Sequence, residues 1–441
     1  MLPPPEPTQC AASALRKITL RLIPFLFLLY IVAWLDRVNV GFAALQMNSD
    51  LQFSAAVFGF GSGVFFLGYC LFEVPSNLIL DRVGARLWIA RIMVSWGVIS
   101  VAMMFVRTSV TFYLLRFLLG VAEAGFFPGI IYYLGGWYPR AQRARAIAAF
   151  MAAIPVTGLI GGPLSGALLG LNGVHGLAGW QWLFLCEGLP AIILGATVPF
   201  YLIDKPEQAT WLSAAEREWL VTELARERTT CIERHSGALL AALTNGTIWR
   251  LGIIFLLTAM GFYGYSFWAP LVIKSLTNSS NLTVGLILAA ISAGTIVCMQ
   301  LNGAHSDRTG EHALHVAVPL LLTAAGFAGC ALLRQPAAAI VSLALVPIGH
   351  CGAYGPFWSI PSRFLTGIAA AGGIALVTTI ANVGGFLGPA VIGVLKERTG
   401  THTAAFLLLA VLGLLAAFLA FQLRNADVLS RSGVSHARSN A

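Results

Sequence analysis

The sequence predicts an all-α membrane protein of twelve transmembrane helices, arranged as two pseudo-symmetric six-helix halves. Composition is the first reason: the 441 residues are 58% hydrophobic and 10% charged, whereas soluble domains carry about a quarter charged residues. Such a chain lacks the polar material to cover a water-facing surface. The second is that apolar stretches long enough to cross about 30 Å of hydrocarbon recur along its length. The third is an internal repeat. Asp81-Arg82-Val83-Gly84 returns as Asp307-Arg308-Thr309-Gly310, and a glycine-rich run ending at Pro163 returns at Pro389; 307 − 81 and 389 − 163 both give 226.

Taken in order, the predicted spans are residues 21–45, 55–80, 87–106, 111–136, 144–170 and 180–203, then 248–274, 283–304, 314–334, 337–360, 371–395 and 403–423. With no water to satisfy backbone groups in lipid, these segments are helices. The chain thus divides into an N-terminal bundle (1–203), a linker (204–247), and a C-terminal bundle with its tail (248–441). In the linker, Ser213 followed by Glu216 is a capping-box signature. Trp219, Leu220 and Leu224 form one apolar stripe beyond it, predicting an amphipathic helix too short to bury a core of its own. Parallel six-helix repeats facing each other across a midplane site are a transporter architecture.

The net charge of +9 is distributed unevenly. Of 27 Lys and Arg, 20 fall on one side, five on the other (Arg107, Lys274, Arg334, Lys396, Arg398), and two inside spans. The rich side includes Arg16, Lys17, Arg21, the basic residues from Lys205 to Arg250, Arg308, Arg363 and the tail arginines. By the positive-inside rule both termini are expected in the cytoplasm. A nucleic-acid partner would need a basic stripe on a soluble face, and none exists. Seven scattered cysteines without a CxxC imply neither a disulfide framework nor a metal site. There is no HExxH, GxSxG or glycine-rich phosphate loop, so no catalytic residue, cofactor or metal is expected. A sensor would add a signalling domain, for which the linker is small.

Four ionisable groups lie within the spans, where each bare charge costs a few kcal/mol. Span one holds Asp36 and Arg37, and span four holds Arg116 and Glu123. Ionised, they sum to zero, the state expected of an empty site. An arginine fork matches a carboxylate, so Arg37 and Arg116 are candidates for an anionic substrate. Protonating Asp36 or Glu123 frees an arginine for it, and binding of anion and proton then favour each other. That is the energetic requirement for symport. Further candidates on cavity faces are Tyr69 in span two, Trp268 in span seven, Trp358 in span ten, and Thr378 and Asn382 in span eleven. Glu73 and Glu187 are left outside the proton route at this stage.

Five segments carry a family resemblance: WLDRVNVG (34–41), GYCLFEVPSNLILDRVGAR (68–86), RFLLGVAEAGFFPG (116–129), GPFWSIPSRFLTG (355–367) and GGIALVTTIANVGGFLGP (372–389). On these the chain resembles the major facilitator superfamily, specifically its anion:cation symporters, from about residue 20 to 425. The resemblance implies proton-driven uptake of an organic anion across the bacterial inner membrane. It implies proton coupling at Asp36 and Glu123, substrate contact at Arg37 and Tyr69, and Arg116 communicating with Glu123. The loop with Asp81, Arg82, Gly84 and Arg86, and its copy at Asp307 and Arg308, resembles the superfamily's gate latch, with Ala85 where a second basic residue is common. The Glu73 to Asn77 run resembles tartrate and phthalate permeases; sugar acids, aromatic carboxylates, exchange and drug efflux are the alternatives. The expected partners are a small organic anion, protons and lipid, acting on a monomer.

Overall fold

A computed structural model describes residues 9–232, 245–360 and 367–439. The second part of the linker with Arg234, and residues 361–366 with Arg363, lie outside it. Among the described residues, twelve helices are long and apolar enough to cross a membrane. They correspond in order to the twelve predicted stretches. Span one, Gln9–Asp50, has 42 residues, about 60 Å of helix and far more than the hydrocarbon needs. Its first turns therefore extend beyond the bundle and meet the linker helix, Ala214–Ile232. There Ser13 donates to Glu216 at 2.7 Å and Lys17 at 2.8 Å. Ser213 and Glu216 form the reciprocal capping pair.

Local chemistry sets the helix ends. The Ser54, Thr108 and Ser280 side chains cap spans two, four and eight, each accepting from one of the backbone N–H groups left over in a first turn. Gly84 and Gly310, related by the 226-residue offset, end spans two and eight at φ of 96° and 66°, a region glycine enters without strain. Span four breaks directly after Glu123. Gly125 has φ of 87°, and a Cβ there would lie 2.3 Å from the Ser76 hydroxyl. The break leaves Glu123 at the end of a helical segment in the middle of the bundle.

The two halves touch at one end and part at the other. In spans two and eleven, a Cβ on Gly59 would lie 2.5 Å from the Pro389 carbonyl oxygen, and one on Gly63 would lie 2.5 Å from that of Phe386. In spans eight and five, a Cβ on Gly285 would lie 2.1 Å from the Gly162 carbonyl oxygen. These contacts are copies of one another, since 285 − 59 and 389 − 163 both equal 226. Glycine lets the backbones meet, the small-residue packing expected between helices in lipid. Toward the linker end the same faces are open. A Cβ on Gly303, about five turns beyond Gly285, would meet none of the described residues within 4 Å. Val74, about three turns beyond Gly63, is 65% exposed. The bundle is sealed at the far end and splayed at the linker end.

Candidate functional site

The four buried charges pair differently from what their order in the chain suggests. Arg37 donates to Glu123, joining span one to span four. Among the described residues Asp36 takes no cation: its carboxylate accepts from Trp96 Nε1 at 2.9 Å, Ser100 Oγ at 2.7 Å and Asn39 Nδ2 at 3.4 Å. Arg116 donates to the Ser62 and Gly61 carbonyl oxygens at 3.1 and 3.4 Å, and its Nη1 has no hydrogen-bond partner. The pairs that chain order suggests, Asp36 with Arg37 and Arg116 with Glu123, are therefore not the ones formed, and helix geometry gives the reason. Consecutive residues point about 100° apart and do not face each other, while seven residues separate side chains by about 10 Å along the axis. Asp36 therefore faces span three, and Arg37 faces spans two and four.

The Arg37 guanidinium lies 5.1, 5.4 and 5.3 Å from the ring centres of Trp34, Phe65 and Tyr69. Phe65 also sits 5.1 Å from the Arg116 guanidinium, so one ring separates the two cations. Trp34 reaches across to the second half, with ring centres 6.4 Å from Phe262 and 6.3 Å from Tyr263. The same tryptophan walls a cavity of about 110 Å³ between spans one, five, seven, eight and ten, where Ser165, Phe262, Ser292 and Cys351 also line it. An enclosed anion pair at this depth is costly unless a hydrogen-bonded cation answers it. The arrangement therefore holds one guanidinium closed on an acid, beside a cavity.

The structure brings Asp36, Arg37, Tyr69, Arg116 and Glu123 into one buried cluster. It does not bring the others there. Trp268 lies in the far-end seal, donating to the Pro389 carbonyl oxygen at 3.3 Å, with Phe58 edge-on at 5.0 Å. Trp358 packs near the linker end against Phe255 at 5.2 Å. Thr378 donates to the Ile374 carbonyl oxygen of its own helix at 2.8 Å. Asn382 has a buried side-chain nitrogen with no hydrogen-bond partner. In the loop, Asp81 accepts from Tyr132 at 2.5 Å, and Asp204 accepts from the Arg86 backbone at 2.8 Å. The Asp204 carboxylate also crowds Gly84, 3.1 Å from where a Cβ would stand. Those contacts stay within the first half and the start of the linker.

Sequence reading passed over Trp96, Ser100 and Asn39. Two polar-tipped residues one turn apart on an otherwise apolar span were the available signal. It also passed over Glu397, which accepts from Ser54 Oγ at 2.6 Å and from the Ala56 N–H at 2.7 Å, so that a carboxylate from span eleven caps span two. Beside it, His402, between spans eleven and twelve, is pushed down to about 4 by burial and by Lys396. It stays neutral at ordinary pH.

Residues 26–373 match the family model described as Major Facilitator Superfamily. The chain is 49% identical over 411 residues to a "Putative tartrate transporter" of Agrobacterium vitis, covering 92% of this chain and 90% of that one. It is 44% identical over 410 residues to the "Putative metabolite transport protein NicT" of Pseudomonas putida, covering 92% and 93%. Its fold matches that of a bacterial homologue of the human lysosomal transporter Spinster, with a TM-score of 0.75, 18% identity, and 95% and 98% of the two chains covered. It also matches the xylose transporter XylE from E. coli, with a TM-score of 0.75, 14% identity, and 93% and 98% covered.

Proposed function

Because this chain belongs to the major facilitator superfamily, and is thus a multi-pass membrane transporter of a small molecule and not an enzyme, we propose that it takes up an organic anion by proton symport. The observation that carries this reading is the closed Arg37–Glu123 pair beside a cavity. A substrate carboxylate and Glu123 compete for one guanidinium. A proton on Glu123 removes the competitor and keeps the buried charge balanced, so anion and proton load together. Asp36, held by neutral donors, is the second proton site. The tartrate transporter relatives at 49% and 51% identity favour a hydroxy-dicarboxylate such as tartrate. A second reading, an aromatic carboxylate, is favoured by the stacked Phe262 and His350 rings, 4.3 Å apart, of which Phe262 lines the cavity.

Orientation follows from charge. The linker end carries most of the Lys and Arg, which supports a cytoplasmic linker end and termini, in a bacterial inner membrane. The splayed state is then inward-facing, and uptake proceeds by rocking the halves about the glycine contacts. The unit is a monomer, each copy holding a complete site. Purified protein in liposomes is tested for uptake of tartrate, phthalate, glucarate and nicotinate, under a pH gradient and separately under a membrane potential. The expected result is accumulation driven by inward-directed protons that Glu123→Gln and Asp36→Asn abolish. Accumulation equal with and without the pH gradient, or pH-driven uptake intact in both variants, defeats the reading.

A further inference from the structure

Among the described residues the spans of the first half bury three carboxyl groups, Asp36, Glu123 and Glu187, exposed by 1%, 1% and 3%, against two guanidiniums, Arg37 and Arg116. With every group ionised the half carries one uncompensated negative charge in a region where that is costly. Glu123 has Arg37. The excess belongs to Asp36 and Glu187, and the two are neighbours.

Glu187, on span six, accepts from Ser165 Oγ at 2.7 Å through Oε1, while its Oε2 is buried without a hydrogen-bond partner. Asn39 stands within reach of Glu187 and donates to Asp36 at 3.4 Å. The Asn39 Oδ1 is likewise buried and unpartnered. A buried carboxylate oxygen left without a donor is expensive. A single proton on Glu187 Oε2 relieves that cost and cancels the excess charge. The remaining surroundings do not supply a counter-charge. Span one presents Asp36, span three presents Trp96 and Ser100 to that aspartate, and span five presents Ser165. On its own helix Glu187 has the thiol of Cys186 beside it.

Ser165 also lines the cavity. Ser165, Glu187, Asn39 and Asp36 thus line one polar route from the cavity wall to the aspartate. We propose that Glu187 is a proton-carrying carboxyl of the transport cycle, loaded from the cavity past Ser165 and coupled through Asn39 to Asp36. In the step, water delivers a proton, an O–H bond forms at Oε2, and the same bond breaks when the proton leaves to water on the opposite side; nothing is oxidised or reduced. The proposal rests on the symport reading and adds one proton per substrate to what the Arg37–Glu123 pair provides.

The test uses full-length protein in phosphatidylethanolamine–phosphatidylglycerol liposomes, with labelled tartrate and a pH-sensitive dye. Glu187→Gln is expected to lower the proton-to-tartrate ratio by one and pH-driven accumulation by about tenfold, within the usual range of coupling between two sites. In infrared titration of the same liposomes, the carbonyl band of protonated carboxylic acid is expected to lose one titrating group. If Glu187→Gln is not recovered folded, Glu187→Asp, which withdraws the carboxyl from Ser165, is expected to keep the ratio and slow uptake about tenfold; an unchanged rate overturns the proposal. A proton-coupled wild type whose ratio and infrared titration are matched by Glu187→Gln overturns this proposal alone. A wild type that moves tartrate without protons overturns the symport reading, and this proposal with it.

Discussion

The two halves share their packing and differ in their chemistry. Carried forward by 226 residues, Asp36 falls on Phe262, Arg37 on Tyr263, Arg116 on Ser342, Glu123 on Gly349 and Glu187 on Gly413. Not one charge is repeated. Yet the close contact of Gly59 with Pro389 recurs as that of Gly285 with Gly162 and Pro163, and Gly84 and Gly310 both end their spans at a positive φ. Duplication has kept the surfaces on which the halves meet. The buried charges reside in one half, and the other faces them with the aromatic rings of Phe262, Tyr263 and His350. In the proposed cycle the first half supplies charge recognition and the second a neutral wall, which assigns substrate selectivity beyond the carboxylate to the second.

The sharpest way to break this comparison is to remove the charge from the charged half. Arg37→Ala leaves Glu123 buried and alone, which is expected to cost roughly 3–5 kcal/mol and to abolish uptake, read by melting in detergent and by liposome transport. The equivalent change in the other half, Tyr263→Phe, keeps the ring; it is expected to leave melting within about 1 kcal/mol. Equal destabilisation by the two would erase the proposed division of labour. Next in size is the shared seam. A valine at Gly285 or at Gly59 is expected to cost roughly 1–3 kcal/mol in the sealed state and to open the far end, seen as faster labelling of a cysteine placed at Ala55, which meets Gly393 in the same seam. Effects of similar size at the two glycines would support the symmetry of the seam; an effect at one alone would not.

Smaller still is the cap that crosses between the halves. Glu397→Gln replaces a carboxylate at the start of span two and is expected to weaken the seal, read as a modest rise in the same labelling rate. The least effect is at the linker. Lys17, with Ser13 and the Ser213 backbone, holds the Glu216 carboxyl down to about 2 from its ordinary 4.5. A lowered folded value stabilises docking above the ordinary value, and that contribution is lost as pH falls from 4.5 toward 2. Hydrogen exchange in residues 214–227 is expected to be flat from pH 8 to 5 after correction for intrinsic rates, and to accelerate below about 4. Glu216→Gln is expected to show the faster exchange at every pH.

Much of this was legible in the sequence because lipid imposes a simple rule on length and polarity. The twelve spans, the offset of 226, the Ser213–Glu216 cap and the membership of Asp36, Arg37, Tyr69, Arg116 and Glu123 in one cluster all follow from local pattern and burial cost. Partner choice did not, because it is decided by which neighbouring helix each side chain faces. Asp36 and Arg37 are adjacent in the chain and answer to different spans. Glu187 reads as an isolated polar residue until the packing of spans one, five and six sets it beside Ser165 and Asn39. Glu397 lies 343 residues from the serine it binds. No pattern within a single helix reports such a distance.

The glycine seam has one more consequence, in the entropy of the cycle. Most interfaces freeze side-chain rotamers when they close, at a cost of up to about 2 kcal/mol for each long side chain. Gly59, Gly162 and Gly285 have no rotamers to freeze, and the surfaces they meet are largely backbone already ordered by its own helix. The far end can close and reopen at every turnover without repeatedly ordering flexible groups. In the proposed symport cycle its free-energy balance is then set by contact and by the substrate and protons held inside, so that small binding energies decide which way the transporter faces.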